Sequence, residues 1–120
     1  MDSLKITYQP FLGKLTTRKA SAKNSLMNQA MNENEIQMQL KNLPSWSWED
    51  DKLCRDLEFP NFKESILFVV KLSFEAEQLD HHPEIYNCYN KVKLSLTTHD
   101  AGSKVTGKDF QLAHAIEGIC

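Results

Sequence analysis

The 120-residue sequence contains only four glycines, and none of them belongs to a glycine-rich loop. Loops that cradle phosphate groups need several glycines, because the backbone itself approaches the phosphate. The sequence therefore does not predict phosphate binding by such a loop.

Cysteines are also few. Cys54, Cys88 and Cys120 are odd in number and show no CxxC spacing. This pattern indicates reduced thiols in an intracellular protein and disfavours both a disulfide framework and a zinc site built on cysteines. No nucleophile-elbow motif surrounds Cys88, Ser95 or Ser103, so none of the three is predicted to be a catalytic nucleophile.

Long hydrophobic runs are missing too. The sequence has no stretch of about 18 apolar residues, which a membrane-spanning helix needs. It also lacks the apolar core of a secretory signal peptide. A cytoplasmic protein is expected, and the N-terminal region described next leaves a nuclear or organellar location open.

The chain lacks a large excess of one charge, because its formal net charge is only −2. Direct nucleic-acid binding is therefore not predicted. Residues 1–31 nevertheless carry five basic side chains and one acidic one, a sum of +4, so the remainder carries −2 − 4 = −6. We expect residues 1–31 to be a basic extension, either solvated and partly disordered or a targeting segment.

Size and composition favour one globular domain over residues 32–120. With 41% hydrophobic and 25% charged residues, the chain is typical of soluble proteins. Its length allows a core that needs neither metal nor disulfide bonds.

The domain is predicted to begin with a helix. Asn32 is a candidate N-cap, and Glu35, three residues later, would complete a capping box. Apolar residues then recur at helical spacing up to Pro44, which ends the element. These residues are Ile36, Leu40 and Leu43.

Two hairpins are predicted on either side of a central helix. In the first, Trp46 and Trp48 alternate with polar residues before a turn at Asp50-Asp51, and the apolar residues of the second strand include Leu53 and Leu57. Packing in the core or sheet is the expected role of the two tryptophans. The second hairpin turns near residues 89–91, and its last strand directs Val92, Leu94 and Leu96 to one face.

The central helix, from Asn61 to the residues before Pro83, is unusually apolar. Phe62, Ile66, Val70 and Phe74 form one stripe, and Leu67, Val69 and Leu72 add apolar surface beside it. A helix that packs on one side only needs less apolar surface. We expect one face to meet the sheet and another to meet a partner, in a homo-oligomer (dimer or tetramer) or with a different protein.

A last helix, capped by Thr106, completes the order α-β-β-α-β-β-α, since Phe110, Ala113 and Ile116 share one face. This order predicts an α+β fold with a four-stranded antiparallel sheet and three helices packed on one of its faces.

Three of the four histidines lie close together in the sequence, two of them in the stretch "DHHPEIYNCYNK". His81 and His82 follow Asp80 at the predicted end of the central helix, and His99 follows the last strand. Antiparallel pairing would return His99 toward the other two. Glu77, four residues before His81, is expected to hydrogen-bond to it.

The residues themselves leave three interpretations open. The pair of histidines could be a solvated helix end, or part of an acid/base site, or it could supply a metal ligand beside His99 and Glu77. Adjacent histidines diverge by about 100° on a helix, which disfavours metal binding by both. His114, on the last helix, is expected to be structural or exposed.

The segment "AEQLDHHPEIYNCYNKVKLSLTTHDAG" resembles the pterin-4a-carbinolamine dehydratase family. The family signature is an acidic residue, three spacers, His-His-Pro, an aromatic residue, a histidine after the next strand and a later aspartate. Here these are Glu77, His81, His82, Pro83, Tyr89, His99 and Asp109. Weaker similarity extends back to about residue 32. The loop "DAGSKVTGKD", which leads to Asp109, is one residue longer than the usual loop of the family.

The resemblance implies an enzyme that dehydrates 4a-hydroxytetrahydropterin to quinonoid dihydropterin without a cofactor and so recycles the cofactor of aromatic amino-acid hydroxylases. It implies His81 and His99 as the main acid/base pair, with His82 contacting the pterin or sharing proton transfer. Some animal members also act as dimerisation cofactors for a hepatocyte nuclear factor, which gives the apolar central helix a second interpretation.

The resemblance also implies supporting roles. Glu77 and Asp80 would orient the histidines, and backbone groups near Thr97 and Thr98 would bind the pterin edge. Asp109 would stand behind the site or at a helix start. Pro83 and Tyr89 would shape the site, and no metal is implied.

Overall fold

A computed structural model describes residues 27–120 of the chain. The predicted α+β fold is confirmed, with helices and strands in the expected order. The elements are α1 (Glu33–Leu40), β1 (Ser47–Glu49), β2 (Lys52–Glu58), α2 (Phe62–Leu79), β3 (Glu84–Cys88), β4 (Lys91–Leu96), a short 3-10 helix (His99–Ala101) and α3 (Gly107–Glu117).

The four strands form one antiparallel sheet in the order β1-β2-β4-β3. In the centre of the sheet, Leu53 pairs with Leu96 and Leu57 with Val92. At the edge, Glu84 of β3 pairs with Ser95 of β4. The end of β4 and the start of β3 therefore lie at the same end of the sheet, which is where the histidines are attached.

Side-chain caps fix the start of each helix. Asn32 and Glu35 form the predicted capping box of α1. Asn61 accepts a hydrogen bond from the Glu64 backbone N–H at the start of α2. Thr106 caps α3 as predicted, and its capping-box partner is Asp109. These caps satisfy backbone donors that the first helical turn leaves free.

The core fills the space between the helices and one face of the sheet. The predicted inward residues of β4 are buried, as is Trp46, whose indole N–H donates to Glu117 at 2.8 Å. The largest fully buried apolar side chains are Ile36, Leu53, Leu72, Leu94, Leu96, Leu112, Ile116, Val92 and Val105. Burial of these side chains supplies most of the driving force for folding.

The turns of both hairpins contain residues with positive φ. Asp50 and Asp51 have φ angles of 52° and 61°. Positive φ at both central residues is the geometry of the two-residue turn that matches strand twist. Tyr89 has φ of 52°, and the Asn90 amide donates to the Phe59 carbonyl at 2.8 Å. Both turns were predicted at these positions.

Helix α1 is shorter than predicted. It ends at Leu40 rather than just before Pro44, and Leu43 is buried in the turn that follows. The Leu43 backbone N–H donates to Leu40 at 2.9 Å, and the Trp46 N–H donates to Leu43 at 3.0 Å. Tight turns thus keep Leu43 facing the core after the helix has ended. Its position in the sequence therefore fits helical spacing, although the residue lies outside the helix.

The predicted surplus of apolar surface on α2 is present on the side that faces away from the core. Ser65, Phe68, Leu72 and Ala76 are its buried residues. The opposite side is an apolar stripe whose members are between 37% and 52% exposed, namely Phe62, Ile66, Leu67, Val70 and Phe74. We call this surface the α2 stripe.

Most of the basic N-terminal segment lies outside the described residues. Met31, one residue before the predicted domain boundary, packs against the core and donates its backbone N–H to Val105 at 2.9 Å. Within residues 27–120, no helix combines the length and apolar content that crossing a bilayer requires.

Candidate active site

The three clustered histidines meet in one open cavity of about 200 Å³ at the C-terminal end of α2. The chain reaches this cavity from three directions: from the end of α2, from the segment after β4 and from the start of α3. Its lining consists of Asp80, His81, His82, Thr97, Thr98, His99, Asp100 and Lys108. As expected from hairpin pairing, His99 lies beside the other two histidines.

Asp80 ends α2 in a left-handed conformation, with φ of 52° and ψ of 44°. Such a residue closes many helices, although glycine is the usual choice because other residues pay a steric cost there. The next residue, His81, still donates its backbone N–H to Ala76 at 3.1 Å. This turn separates the directions of the His81 and His82 side chains.

His81 is paired with a buried carboxylate. Its Nε2–H donates to Asp109 Oδ1 at 2.6 Å, and the side chains of His81 and Asp109 are 11% and 0% exposed. The other oxygen, Oδ2, accepts from the Thr98 hydroxyl at 2.8 Å and from the Thr106 backbone N–H at 2.9 Å. A buried carboxylate is tolerated only when hydrogen bonds compensate its lost hydration, as three donors do here.

Asp109 thus has both of the roles that the sequence suggested as alternatives. It completes the capping box of α3, and it stands directly behind His81. A carboxylate in this position fixes the orientation of the imidazole and leaves Nδ1 as the ring nitrogen without this partner. The longer loop before Asp109 does not displace it from the site.

His82 is paired with Glu77, and this corrects the prediction that Glu77 would bind His81. His82 Nε2–H donates to Glu77 Oε2 at 2.6 Å. The prediction assumed that the helix continues through His81. Because the chain leaves the helix at Asp80, His81 turns inward toward Asp109 while His82 returns along the surface toward Glu77.

His99 is the first residue of the 3-10 helix and is exposed. Its Nδ1 lies 3.4 Å from the Ser103 hydroxyl oxygen, a long separation for a hydrogen bond. Two buried residues, Thr97 and Thr98, connect it to the end of β4. Their burial anchors His99 at the rim of the cavity.

The two threonines have structural partners. The Thr97 hydroxyl donates to the Asp51 carbonyl at 3.1 Å, which joins the two hairpins. The Thr98 backbone N–H donates to Lys104, and its carbonyl accepts from Ala101 and Ser103. Both backbone groups of Thr98 are thus engaged within the protein, and the Thr98 side chain supports Asp109.

Two residues of the sequence motif neither line the cavity nor bind one of its histidines. Tyr89 occupies the turn between β3 and β4, and its carbonyl accepts from the Ser65 hydroxyl near the start of α2. That is the opposite end of the helix from His81, so Tyr89 does not touch the cavity, and it belongs to the turn that returns the chain toward His99. Pro83 is half-buried just before β3, and His114 is exposed on α3.

Sequence reasoning missed Lys108 and Asp100 as lining residues, and it did not connect Ser103 with His99. A signal was available for Lys108. A lysine in the first turn of a helix opposes the helix dipole, so a role outside the helix was a reasonable expectation.

The described residues contain no group of three or more histidine, cysteine, aspartate or glutamate side chains placed to share a metal ion. Each of the three histidines instead has its own partner: Asp109, Glu77 or Ser103. The three rings are therefore oriented separately.

All three cysteines are free, and none lines the histidine cavity. Burial raises the pKa of the Cys54 thiol above its usual value. Burial, followed by the Glu117 carboxylate, also raises the pKa of Cys120. A raised pKa keeps a thiol protonated at neutral pH and makes it a poor nucleophile.

A larger open concavity, of about 620 Å³, lies on the face of the sheet that the helices leave uncovered. Its charged lining includes both signs, for example Asp56 and Glu84 beside Lys93, and it contains no histidine. The smaller cavity is the better candidate for acid/base chemistry because three histidines converge on it, and histidine is the side chain best suited to proton transfer near neutral pH.

Comparisons with known proteins identify the family of this chain. The model of the family described as pterin 4 alpha carbinolamine dehydratase matches residues 29–119. This chain belongs to that family. The match covers all the histidines of the cavity together with Asp109.

Several relatives cover most of the domain. A protein of Opitutus terrae, assigned by name to the pterin-4-alpha-carbinolamine dehydratases, is 48% identical over 85 residues, which are 71% of this chain and 88% of the relative. A protein of Picosynechococcus sp. with the same assigned name is 52% identical over 89 residues, 74% and 96% of the two chains. A crystal structure described as a transcriptional coactivator/pterin dehydratase from Brucella melitensis is 33% identical, with a TM-score of 0.71, over 75% of this chain and 97% of that one.

Proposed function

We propose that the protein is a dehydratase that converts 4a-hydroxytetrahydropterin to quinonoid dihydropterin and water in tetrahydrobiopterin recycling. The observation that carries the proposal is the convergence of His81, His82 and His99 in one cavity, with a buried carboxylate behind His81. Family membership supports the same substrate class.

The reaction requires two proton transfers. A base removes the proton from N5, the C4a–N5 double bond forms, and the 4a-hydroxyl leaves as water after an acid has protonated it. Histidine suits both steps because its side chain titrates near neutral pH. His81 and His99 approach the cavity from different segments of the chain, so they can act on two different atoms of one substrate.

The remaining residues orient the pterin and the catalytic pair. His82, held by Glu77, contacts the pterin or shares in proton transfer. Asp80 lines the cavity beside both histidines. Backbone groups of Thr97 bind the flat edge of the pterin, while Asp109 and Thr98 keep the His81 ring in place.

The test is the rate of dehydration of 4a-hydroxytetrahydrobiopterin by the purified protein. His81→Ala and His99→Ala should each lower the rate by about 10²-fold or more, the usual size of an acid/base contribution. His114→Ala is the matched control, because this exposed histidine lies outside the cavity. Full activity of the His81→Ala/His99→Ala double variant would sink the proposal.

A second role is proposed for the α2 stripe: assembly of a homo-oligomer (dimer or tetramer), with binding of a different protein as the alternative. The stripe exposes five large apolar side chains on one helix, more than a solvated helix needs. The Brucella melitensis neighbour is described in part as a transcriptional coactivator, which supports the alternative that the stripe binds a different protein.

Light scattering separates assembly from catalysis. Val70→Glu with Phe74→Lys should lower the molar mass of the particle and leave the dehydration rate per subunit within about twofold, since the stripe lies outside the cavity lining. Lys71→Glu is the control for a charge change at an exposed polar position of the same helix. An unchanged mass in the double variant would remove the stripe from the assembly interface.

We also propose a cytoplasmic location. Fluorescent fusions with and without residues 1–31 would test this, because a targeting role for the basic segment predicts that only the full-length fusion enters an organelle.

A further inference from the structure

Among the three histidines of the cavity, His99 alone lacks a carboxylate partner within residues 27–120. His81 is bound to Asp109 and His82 to Glu77, both through Nε2. His99 instead faces the Ser103 hydroxyl, and it does so through Nδ1. The three rings are therefore held through different atoms and by groups of different chemistry.

Ser103 adopts a backbone conformation that serine rarely accepts. Its φ is 59°, and it directly follows Gly102, whose φ is 75°. A left-handed conformation is sterically unfavourable for a residue other than glycine. Local hydrogen bonds hold it there, since the Ser103 backbone N–H donates to the Thr98 carbonyl at 3.1 Å. A glycine would fit this backbone without strain but would have no hydroxyl.

We propose that Ser103 is a positioning residue for His99. Its hydroxyl oxygen accepts a hydrogen bond from Nδ1–H and thereby leaves Nε2 as the nitrogen that exchanges a proton with the substrate. The proposal rests on the proposed dehydratase function, and it deepens that function by assigning a residue of the extended loop to one of the two catalytic histidines.

The hydroxyl suits this task because its oxygen can accept from Nδ1–H in both protonation states of Nε2. When His99 is neutral, Nδ1–H donates to Ser103 and Nε2 holds a free lone pair. When Nε2 takes up a proton, the Nδ1–H bond to Ser103 is unchanged. The ring keeps one orientation through the proton transfer, and only one nitrogen changes its state. The 3.4 Å separation is long, and hydrogen bonds at such sites often tighten only when substrate binds.

Other charged and titratable groups around the cavity can also influence His99. They are Asp80, His81, His82, Asp100 and Lys108. None of them belongs to the segment between His99 and Ser103 except Asp100, which is exposed. Substitutions at Ser103 leave all five in place.

The test compares Ser103→Ala and Ser103→Gly with the unmutated protein by long-range proton–nitrogen NMR of the histidine rings, above the pH at which they titrate. In water, neutral imidazole of histidine favours the Nε2–H tautomer. His99 of the unmutated protein should be mainly Nδ1–H, and in both variants it should return to mainly Nε2–H. Ser73→Ala, which removes an exposed hydroxyl on α2, should leave His99 unchanged.

The two variants separate the hydroxyl from the backbone. Ser103→Gly relieves the left-handed strain and should fold at least as stably, so a changed tautomer in this variant is not a sign of unfolding. An Nε2–H tautomer in the unmutated protein, or the same Nδ1–H tautomer in both variants, would overturn the proposal.

Steady-state kinetics of the Ser103 variants provide a second test. Both variants should lower kcat for dehydration by about 10-fold with little change in KM, because they loosen a proton donor or acceptor rather than a binding contact. If the unmutated protein shows no dehydratase activity, the proposed function fails, while the NMR comparison still decides whether Ser103 holds His99.

Discussion

Two adjacent histidines in this protein form pairs that look alike by distance and differ in surroundings. His81–Asp109 and His82–Glu77 both measure 2.6 Å between nitrogen and oxygen. The side chains of the first pair are 11% and 0% exposed, and those of the second are 58% and 76% exposed. Distance alone would rank the two pairs as equal, whereas burial predicts that only the first contributes much to stability.

The physical difference is the solvent. Water competes with an exposed ion pair and screens it, so such pairs typically contribute less than about 1 kcal/mol. When the partner of a buried carboxylate is removed, water cannot take its place. The loss of stability is then several-fold larger. Asp109 also serves Thr98 and Thr106, so three donors depend on it.

The largest effect should follow from Asp109→Ala. This substitution removes the α3 capping box and leaves buried donors of Thr98 and Thr106 without their acceptor. The free energy of unfolding should fall by about 3–5 kcal/mol, measured by urea denaturation. Asp109→Asn should lose less, because an amide oxygen can still accept some of these hydrogen bonds.

Glu77→Ala is the matched control for that measurement, because it removes the carboxylate of the exposed pair. Its effect should stay below about 1 kcal/mol. Equal losses in Asp109→Ala and Glu77→Ala would show that burial does not distinguish the two pairs.

The sequence was sufficient to predict most of the fold. Helix starts were predictable because Asn32, Asn61 and Thr106 are capping residues placed directly before apolar periodicity. Strand faces were predictable because Val92 and Leu94 alternate with lysines. The end of α1 was not predictable from the sequence, because a tight turn keeps Leu43 on the same face as the apolar residues of the helix before it.

The site was predictable in its members and less so in its pairings. Hairpin geometry was enough to expect His99 near His81. Which carboxylate binds which histidine depends on one backbone angle, the left-handed φ of Asp80, and aspartate gives a weaker signal for that conformation than glycine. The partner of His81 comes from α3, 28 residues away, and only the packed structure brings it there.

A smaller effect, of opposite sign, is expected for Asp80→Gly. Glycine accepts the left-handed conformation freely, so the free energy of unfolding should rise by about 0.5–1 kcal/mol. Both histidine pairs should remain, because the turn between them is preserved. The dehydration rate should fall, since Asp80 lines the cavity. Urea denaturation and the dehydration assay, run on the same preparation, check both expectations.

Asp80→Ala is the control for the backbone contribution, because it removes the carboxylate but keeps the steric cost of the left-handed conformation. Its activity should match that of Asp80→Gly, and its stability should not exceed that of the unmutated protein. A glycine variant that is both less stable and fully active would contradict the assignment of Asp80 as a strained residue retained for the site.

The smallest effect is expected from salt. At 1 M ionic strength, charges on the surface are screened within about 3 Å, while buried pairs are screened much less. The stability difference between the unmutated protein and Glu77→Gln, small at low salt, should therefore vanish in 1 M NaCl. The difference for Asp109→Asn should persist under the same conditions. If both differences vanish, solvent reaches Asp109 in solution, and the hydrogen bonds from Thr98 and Thr106 do not seal the carboxylate behind His81.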